Sequence, residues 1–296
     1  MKKIITFFSF LSLAFSTAFA QEDTDLLGLI DEPTVERSFA IATFKGTRLI
    51  NFHTLEVPGN RTLDFRIAHR FGPFNAGGYN FWGLDGGASI RLSLEYSYDG
   101  RLNFGIGRSS VDKTFDGFAK YRLLRQGDNA NPPVSVTLFS GIYATSLKDK
   151  DDGLLNVNKY EEFSSRLSFC HQIIVGRKFN DRFSLQVAPT LVHINLAEEL
   201  DDKNDAIIIA AAARFKVTQR MAITAEYGWR ATDYTNSDYY DSFGIGIDLE
   251  TGGHVFQMHL TNSFGLTENQ FYTRTGDSWS DGGIRLGFNI SRVFTL

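Results

Sequence analysis

Ala88 to Gly107 reads ASIRLSLEYSYDGRLNFGIG. Ile90, Leu92, Leu94, Tyr96 and Tyr98 alternate with Ser89, Arg91, Ser93, Glu95 and Ser97. After Asp99-Gly100 the alternation resumes, with Leu102, Phe104 and Ile106 set against Asn103, Gly105 and Gly107. Period two on both sides of Asp-Gly predicts a β-hairpin with a type I′ turn, because that pair accepts positive φ. One face of the hairpin is apolar and the other carries charge. Soluble sandwiches use such hairpins too, so the fold turns on how often the pattern recurs and how its loops are placed.

The pattern recurs along the chain. Besides the hairpin's two strands, alternation predicts strands over about 61–71, 118–126, 133–146, 163–178, 182–195, 206–218, 221–231, 242–251, 254–263 and 282–294. The connections alternate as well. Asp99-Gly100, 127–132, 179–181, Gln219-Arg220 and Gly252-Gly253 are short, whereas 72–87, 109–117, 147–162, 196–205, 232–241 and 264–281 are long. A sandwich has no reason to gather its long loops on one side. A transmembrane barrel does: short periplasmic turns, longer external loops, and strands of about ten residues, apolar toward lipid and polar toward the lumen. Closure pairs every backbone group within hydrocarbon. The expected fold is therefore all-β, a closed antiparallel up-and-down transmembrane β-barrel of 12 strands. Fourteen is the alternative if 38–57 adds two.

The ends fit an exported protein. Lys2 and Lys3, an apolar run from Ile4 to Phe15, and Ala18-Phe19-Ala20 read as a signal peptide cleaved after Ala20. Residues 21–60 read as a periplasmic leader, partly in the lumen, and 61–296 as the barrel. Cleavage removes two lysines and takes the formal charge from −4 to −6, which argues against nucleic acid. The single Cys170 excludes an internal disulfide. Residues 38–57 have strand-like composition but imperfect alternation, and are either further strands or a segment tucked inside. Strand alternation persists through Phe294 to Leu296, the end that barrel-assembly machinery reads in outer-membrane proteins.

His69-Arg70-Phe71-Gly72, Gly83-Leu84-Asp85 and above all GIGRSSVDKTFDGFAKYRLLRQ (105–126) carry a resemblance. They resemble a Bacteroidota family of exported β-barrel proteins catalogued as a domain of unknown function (number 5777), over about residue 43 to the C-terminus. The resemblance implies a barrel in the outer membrane of a Gram-negative cell, in contact with its lipid. It implies no activity.

Motifs for chemistry are weak. Gly105-x-Gly107-Arg108 lies within a strand with no helix after it, so it lacks a phosphate cradle. Lys148-Asp149-Lys150-Asp151-Asp152-Gly153 lacks the ligand spacing of a calcium loop. Glu198 to Asp205 is a second acidic loop. No His-x-x-x-His pair occurs, and no Ser and His stand out as a membrane-embedded hydrolase pair. No cofactor, metal or catalytic residue is expected.

The inward face is the candidate site. By parity Arg66, Arg91, Glu95, Lys120, Arg122, Arg166, Arg214, Lys216, Glu226, Arg230, Asp248, His259 and Arg285 face the lumen, together with Asp64. Nine cations against four acids give this face a charge of about +5 in a protein of negative net charge. Either these side chains brace a closed barrel, or they line a path for small anionic solutes, as Arg and Lys rings do in anion pores. A lumen of this size is narrow enough for long side chains to fill.

Overall fold

The computed structural model describes residues 38–127, 131–148, 160, 162–197, 203–232, 239–251 and 254–296. The expected signal peptide (1–20), residues 21–37 and most of both acidic loops lie outside the described residues. Twelve strands form where the alternation runs: β1 (Thr62–Pro73), β2 (Ser89–Ser97), β3 (Leu102–Ser109), β4 (Thr114–Leu124), β5 (Ser135–Thr145), β6 (Leu167–Lys178), β7 (Phe183–Ile194), β8 (Asp205–Lys216), β9 (Met221–Arg230), β10 (Ser242–Thr251), β11 (His254–Thr261) and β12 (Arg285–Thr295). Each is antiparallel to its sequence neighbours, and β1 pairs with β12 to close the barrel. In that seam Ile67 lies opposite Ile290 and Thr62 opposite Thr295. Closure leaves no backbone edge, which hydrocarbon would not tolerate.

Burial follows parity. Along β2 the inward Ser89, Arg91, Ser93, Glu95 and Ser97 are buried, while Ile90, Leu92 and Leu94 face out. Outward aromatics gather near both strand ends. Tyr121, Phe215, Phe256 and Phe294 mark the end that carries the termini; Phe115, Tyr227 and Trp229 mark the opposite, long-loop end. Such girdles suit the two interfaces of a bilayer.

The count is twelve, as expected, and not the alternative fourteen, because 38–57 contributes no barrel strand. Two other expectations change. The connection expected over 109–117 shrinks to 110–113, since β4 already begins at Thr114. Phe118 faces inward and is buried, so polarity alone hid the start of that strand. The Asp99-Gly100 turn is one residue longer than a type I′ turn: Tyr98 donates its N–H to Leu102 O at 2.9 Å, and only Gly100 has positive φ. Asp99 Oδ1 accepts the N–H groups of Arg101 (2.8 Å) and Leu102 (2.7 Å), which holds its carboxyl below the usual carboxylate range.

The loop between β1 and β2 is pinned where backbone meets backbone. Gly83 has φ +84°, and a Cβ there would stand 2.5 Å from the carbonyl of Gly72. Positive φ and that overlap together predict that Gly83→Ala costs about 2–3 kcal/mol. The urea midpoint of the detergent-folded barrel reads this loss. Gly87→Ala, with nothing within 4 Å of the new methyl, should leave the midpoint in place.

Candidate functional site

The lumen is filled from both ends. From the end carrying the termini, residues 38–57 enter as a narrow hairpin, the plug. At the mouth Phe39 bridges Gly127, the Ala40 N–H donates to Gln126 O, and Lys178 Nζ donates to Ile41 O. Deeper in, Arg48 bridges His53, Leu49 N–H donates to Phe52 O (3.0 Å), and Thr54 N–H donates to Thr47 O (2.9 Å). The chain reverses there and returns to Pro58. Phe44, Leu49, Ile50, Phe52 and Leu55 are all buried.

The wall supplies what the plug backbone lacks. The Glu226 carboxylate on β9 accepts the N–H groups of Ile50, Asn51 and Phe52 at 2.9–3.2 Å. Arg70 donates to Ile50 O (3.1 Å) and Asn51 Oδ1 (2.9 Å), and Asn289 donates to Ile50 O (2.8 Å). Gln186 accepts from Leu55 N–H and donates to His53 O. Thr137 donates to Leu55 O, Lys120 to Glu56 O and Arg122 to Val57 O. Buried backbone groups need such partners, and a plug without regular secondary structure finds them in side chains.

From the other end the β11–β12 connection folds inward, carrying the single-turn helix α1 (Glu268–Phe271). The two insertions meet mid-lumen. Phe52 of the plug lies 5.5 Å from Phe271 and 4.9 Å from Tyr272, centroid to centroid. Glu268 Oε1 pairs with Arg48 at 2.7 Å, and Oε2 accepts the Tyr143 hydroxyl at 2.6 Å. Ridge and socket are therefore matched in both polarity and charge.

Most of the predicted inward residues lie where parity put them. Arg66, Arg91, Glu95, Lys120, Arg214, Glu226, Asp248 and His259 are buried inside the barrel. Arg122 and Lys216 stand half-buried toward the end with the termini. Arg166, Arg230 and Arg285 sit at the long-loop mouth, Arg166 in a 3-10 turn just before β6 rather than within a strand. These cations are largely engaged. Arg91 pairs with Asp116 (2.6 Å), Arg66 with Asp64 (3.3 Å), Arg214 with Glu250 (3.3 Å) and Arg285 with Asp277.

Several functional residues escaped the sequence reading. Asp116 lies near the start of β4, ahead of the alternation that marks the strand in sequence, and Arg70 and Glu250 sit near the ends of β1 and β10, where alternation marks a face least clearly. The inner wall along β6–β8 is also apolar: Ile174, Val192, Ala206, Ile208, Ala210 and Ala212 are buried in one cluster with Leu55, Phe271 and Tyr272. The signal was present in AIIIAAAA (206–213), a strand apolar on both faces and hence buried on both. The sequence also hid a cross-strand pair: Ser140 Oγ lies 3.1 Å from His171 Nδ1 on the outer face. Among the described residues no carboxylate or amide bonds to His171.

The family described as "Membrane bound beta barrel domain (DUF5777)" matches residues 44–294. This chain belongs to that family. The match opens at Phe44, the first fully buried apolar residue of the plug, so the DUF5777 domain includes plug as well as barrel. No curated protein matches the chain. Among solved structures, the NanC porin aligns with 79% of this chain and 99% of its own, at 8% identity and TM-score 0.47. The KdgM porin gives 79% and 99% coverage, 10% identity and TM-score 0.47. The Escherichia coli outer membrane phospholipase A, as its N156A active-site mutant, gives 80% and 91% coverage, 10% identity and TM-score 0.47. At these identities and scores no solute or activity passes from them to this DUF5777 protein.

Proposed function

We propose that this DUF5777 protein is a non-enzymatic outer-membrane barrel, exported by a signal peptide cleaved after Ala20, and closed at rest by its own N-terminal segment. One observation carries the reading: Phe52, on the plug, stacks mid-lumen on Phe271 and Tyr272, from the opposite mouth. In this reading the wall charges brace the lumen, and the accessible chemistry lies at the long-loop end, facing the cell exterior. A recess of about 70 Å³ opens there, with Arg166, Lys203 and Arg274 beside Tyr160, Tyr239 and Asn269. It is where a solute or soluble partner would meet the protein. β12, which closes the seam with β1, is the strand that the assembly machinery would read.

The test is single-channel conductance of refolded residues 21–296 in a planar bilayer under a salt gradient. Silence from a barrel shown folded by heat-modifiable gel migration is expected. Steady conductance of the wild-type chain would overturn the closed reading. It would favour the second one, a narrow path for small anionic solutes, which the wall's Arg and Lys side chains support. In that case anion preference should fall when Arg91, Arg122 and Arg214 are neutralised.

A further inference from the structure

Beside the plug tip, on the charged side of the lumen, four arginines surround one small cavity. Arg48 comes from the plug, Arg66 and Arg70 from β1, and Arg91 from β2; Ile50, Ala68 and Leu266 form the apolar part of its wall, and the amides Asn51 and Asn289 complete it. Its volume is about 10 Å³, room for a single water-sized particle. All four arginines are at most 4% exposed. Among the described residues no carboxylate lines the cavity.

The donors around it are not used up. Nε and Nη2 of Arg48, Nε and Nη1 of Arg66, and Nε of Arg70 are buried and make no hydrogen bond among the described residues. Arg48, Arg66 and Arg91 each have a carboxylate partner. Arg70 has none among the described residues; it donates only to His69 O, Asn289 Oδ1, Ile50 O and Asn51 Oδ1. Glu226, which faces the same tip, gives both its oxygens to plug N–H groups. Buried charged donors without acceptors are costly, and the remedy here has to accept only. Water brings two hydrogens that need acceptors, and the oxygens on the cavity wall, Asn51 Oδ1, Asn289 Oδ1 and Ile50 O, already accept from Arg70. Oxyanions with four heavy-atom ligands exceed the volume. A halide fits both demands.

We propose that the plug–wall interface binds one monatomic inorganic anion, chloride in ordinary salt, held by Arg48, Arg66 and Arg70. Because Arg48 belongs to the plug and the other two to β1, the ion ties the plug to the wall. The site rests on the plug's seat alone and stands whether or not the barrel conducts.

Two measurements test it on the mature chain. Crystals of protein refolded in bromide should show an anomalous peak within the four-arginine cavity. Ordinary water density there, with no anomalous signal, would overturn the proposal. In solution, the folding equilibrium should favour the folded state more in chloride than in gluconate at equal ionic strength. Above saturation, each tenfold rise in chloride should shift that equilibrium about tenfold. Identical midpoints in the two salts would also sink it. Arg70→Met should abolish the chloride dependence, and because that variant can fail to fold, the bromide crystals of the wild-type chain decide independently.

Discussion

Glu226→Ala should lower the unfolding free energy of the detergent-folded barrel by about 4 kcal/mol. The carboxylate accepts three consecutive N–H groups of the plug tip, from Ile50, Asn51 and Phe52. Hydrogen bonds to a charged group contribute about 1.5–3 kcal/mol each, and a buried donor left without an acceptor costs about 1–3 kcal/mol. The three bonds share one carboxylate, so their sum is less than three independent terms. Alanine also leaves Arg70 facing the tip without the charge opposite it. Glu226→Gln keeps one acceptor oxygen and should lose about half as much. Urea titration gives the energies. Trypsin gives the location, because a loosened plug exposes Lys45 and Arg48 at its entry and tip. A loss under about 1 kcal/mol, with both sites still protected, would mean that the carboxylate does not hold the plug.

Removing the plug altogether should have the larger functional effect. A chain starting at residue 58 should fold into the same barrel and conduct steadily where residues 21–296 are silent. Phe44, Leu49, Ile50, Phe52 and Leu55 are buried only because the plug is inside, and each is worth about 1.5–3 kcal/mol of burial. The stability lost is thus on the order of 10 kcal/mol as an upper bound, offset by hydration of Arg66, Arg70, Lys120 and Glu226 once water enters. Conductance is the readout, with the reversal potential under a salt gradient reporting the sign of selectivity. Continued silence from the folded, shortened barrel would assign the closure to the β11–β12 insertion rather than to the plug.

The barrel was legible because its two faces meet different solvents. Lipid outside and polar groups inside impose period two on every strand, and a one-residue slip would reverse it. Where that contrast fails, so did the reading. Phe118 turns inward beneath His53 and Phe139, and the strand start at Thr114 went unseen. The plug has no period at all, because its surroundings change from residue to residue: Ile50 N–H meets a carboxylate while Phe52 meets rings. The 105–126 block was visible as a resemblance but not as a device. In the structure it is the plug's seat. Gly105 leaves room for the Phe118 ring, which a Cβ would meet at 2.3 Å, and Gly107 leaves room for the Arg91–Asp116 pair. Lys120 and Arg122 then hold Glu56 O and Val57 O. Parity counts the inward charges as a net +5 but not their partners: Asp116 and Glu250 pair with Arg91 and Arg214 from other strands, and the plug carbonyls that Lys120 and Arg122 hold come from distant sequence.

The Glu226 contact also orders the assembly of the molecule in time. Ile50 and its acceptor are 176 residues apart, and the acceptor is on β9, so the plug, which precedes β1 in the chain, finds this partner only after most of the strands are made. Until β9 is built, the N–H groups of Ile50, Asn51 and Phe52 lack their carboxylate, and after β12 meets β1 the plug has to enter through the mouth beside Pro58. Contacts this distant in sequence make for slow closure. Seating of the plug therefore reports completion: a barrel lacking its last four strands has no socket to fill, and a filled one has finished folding.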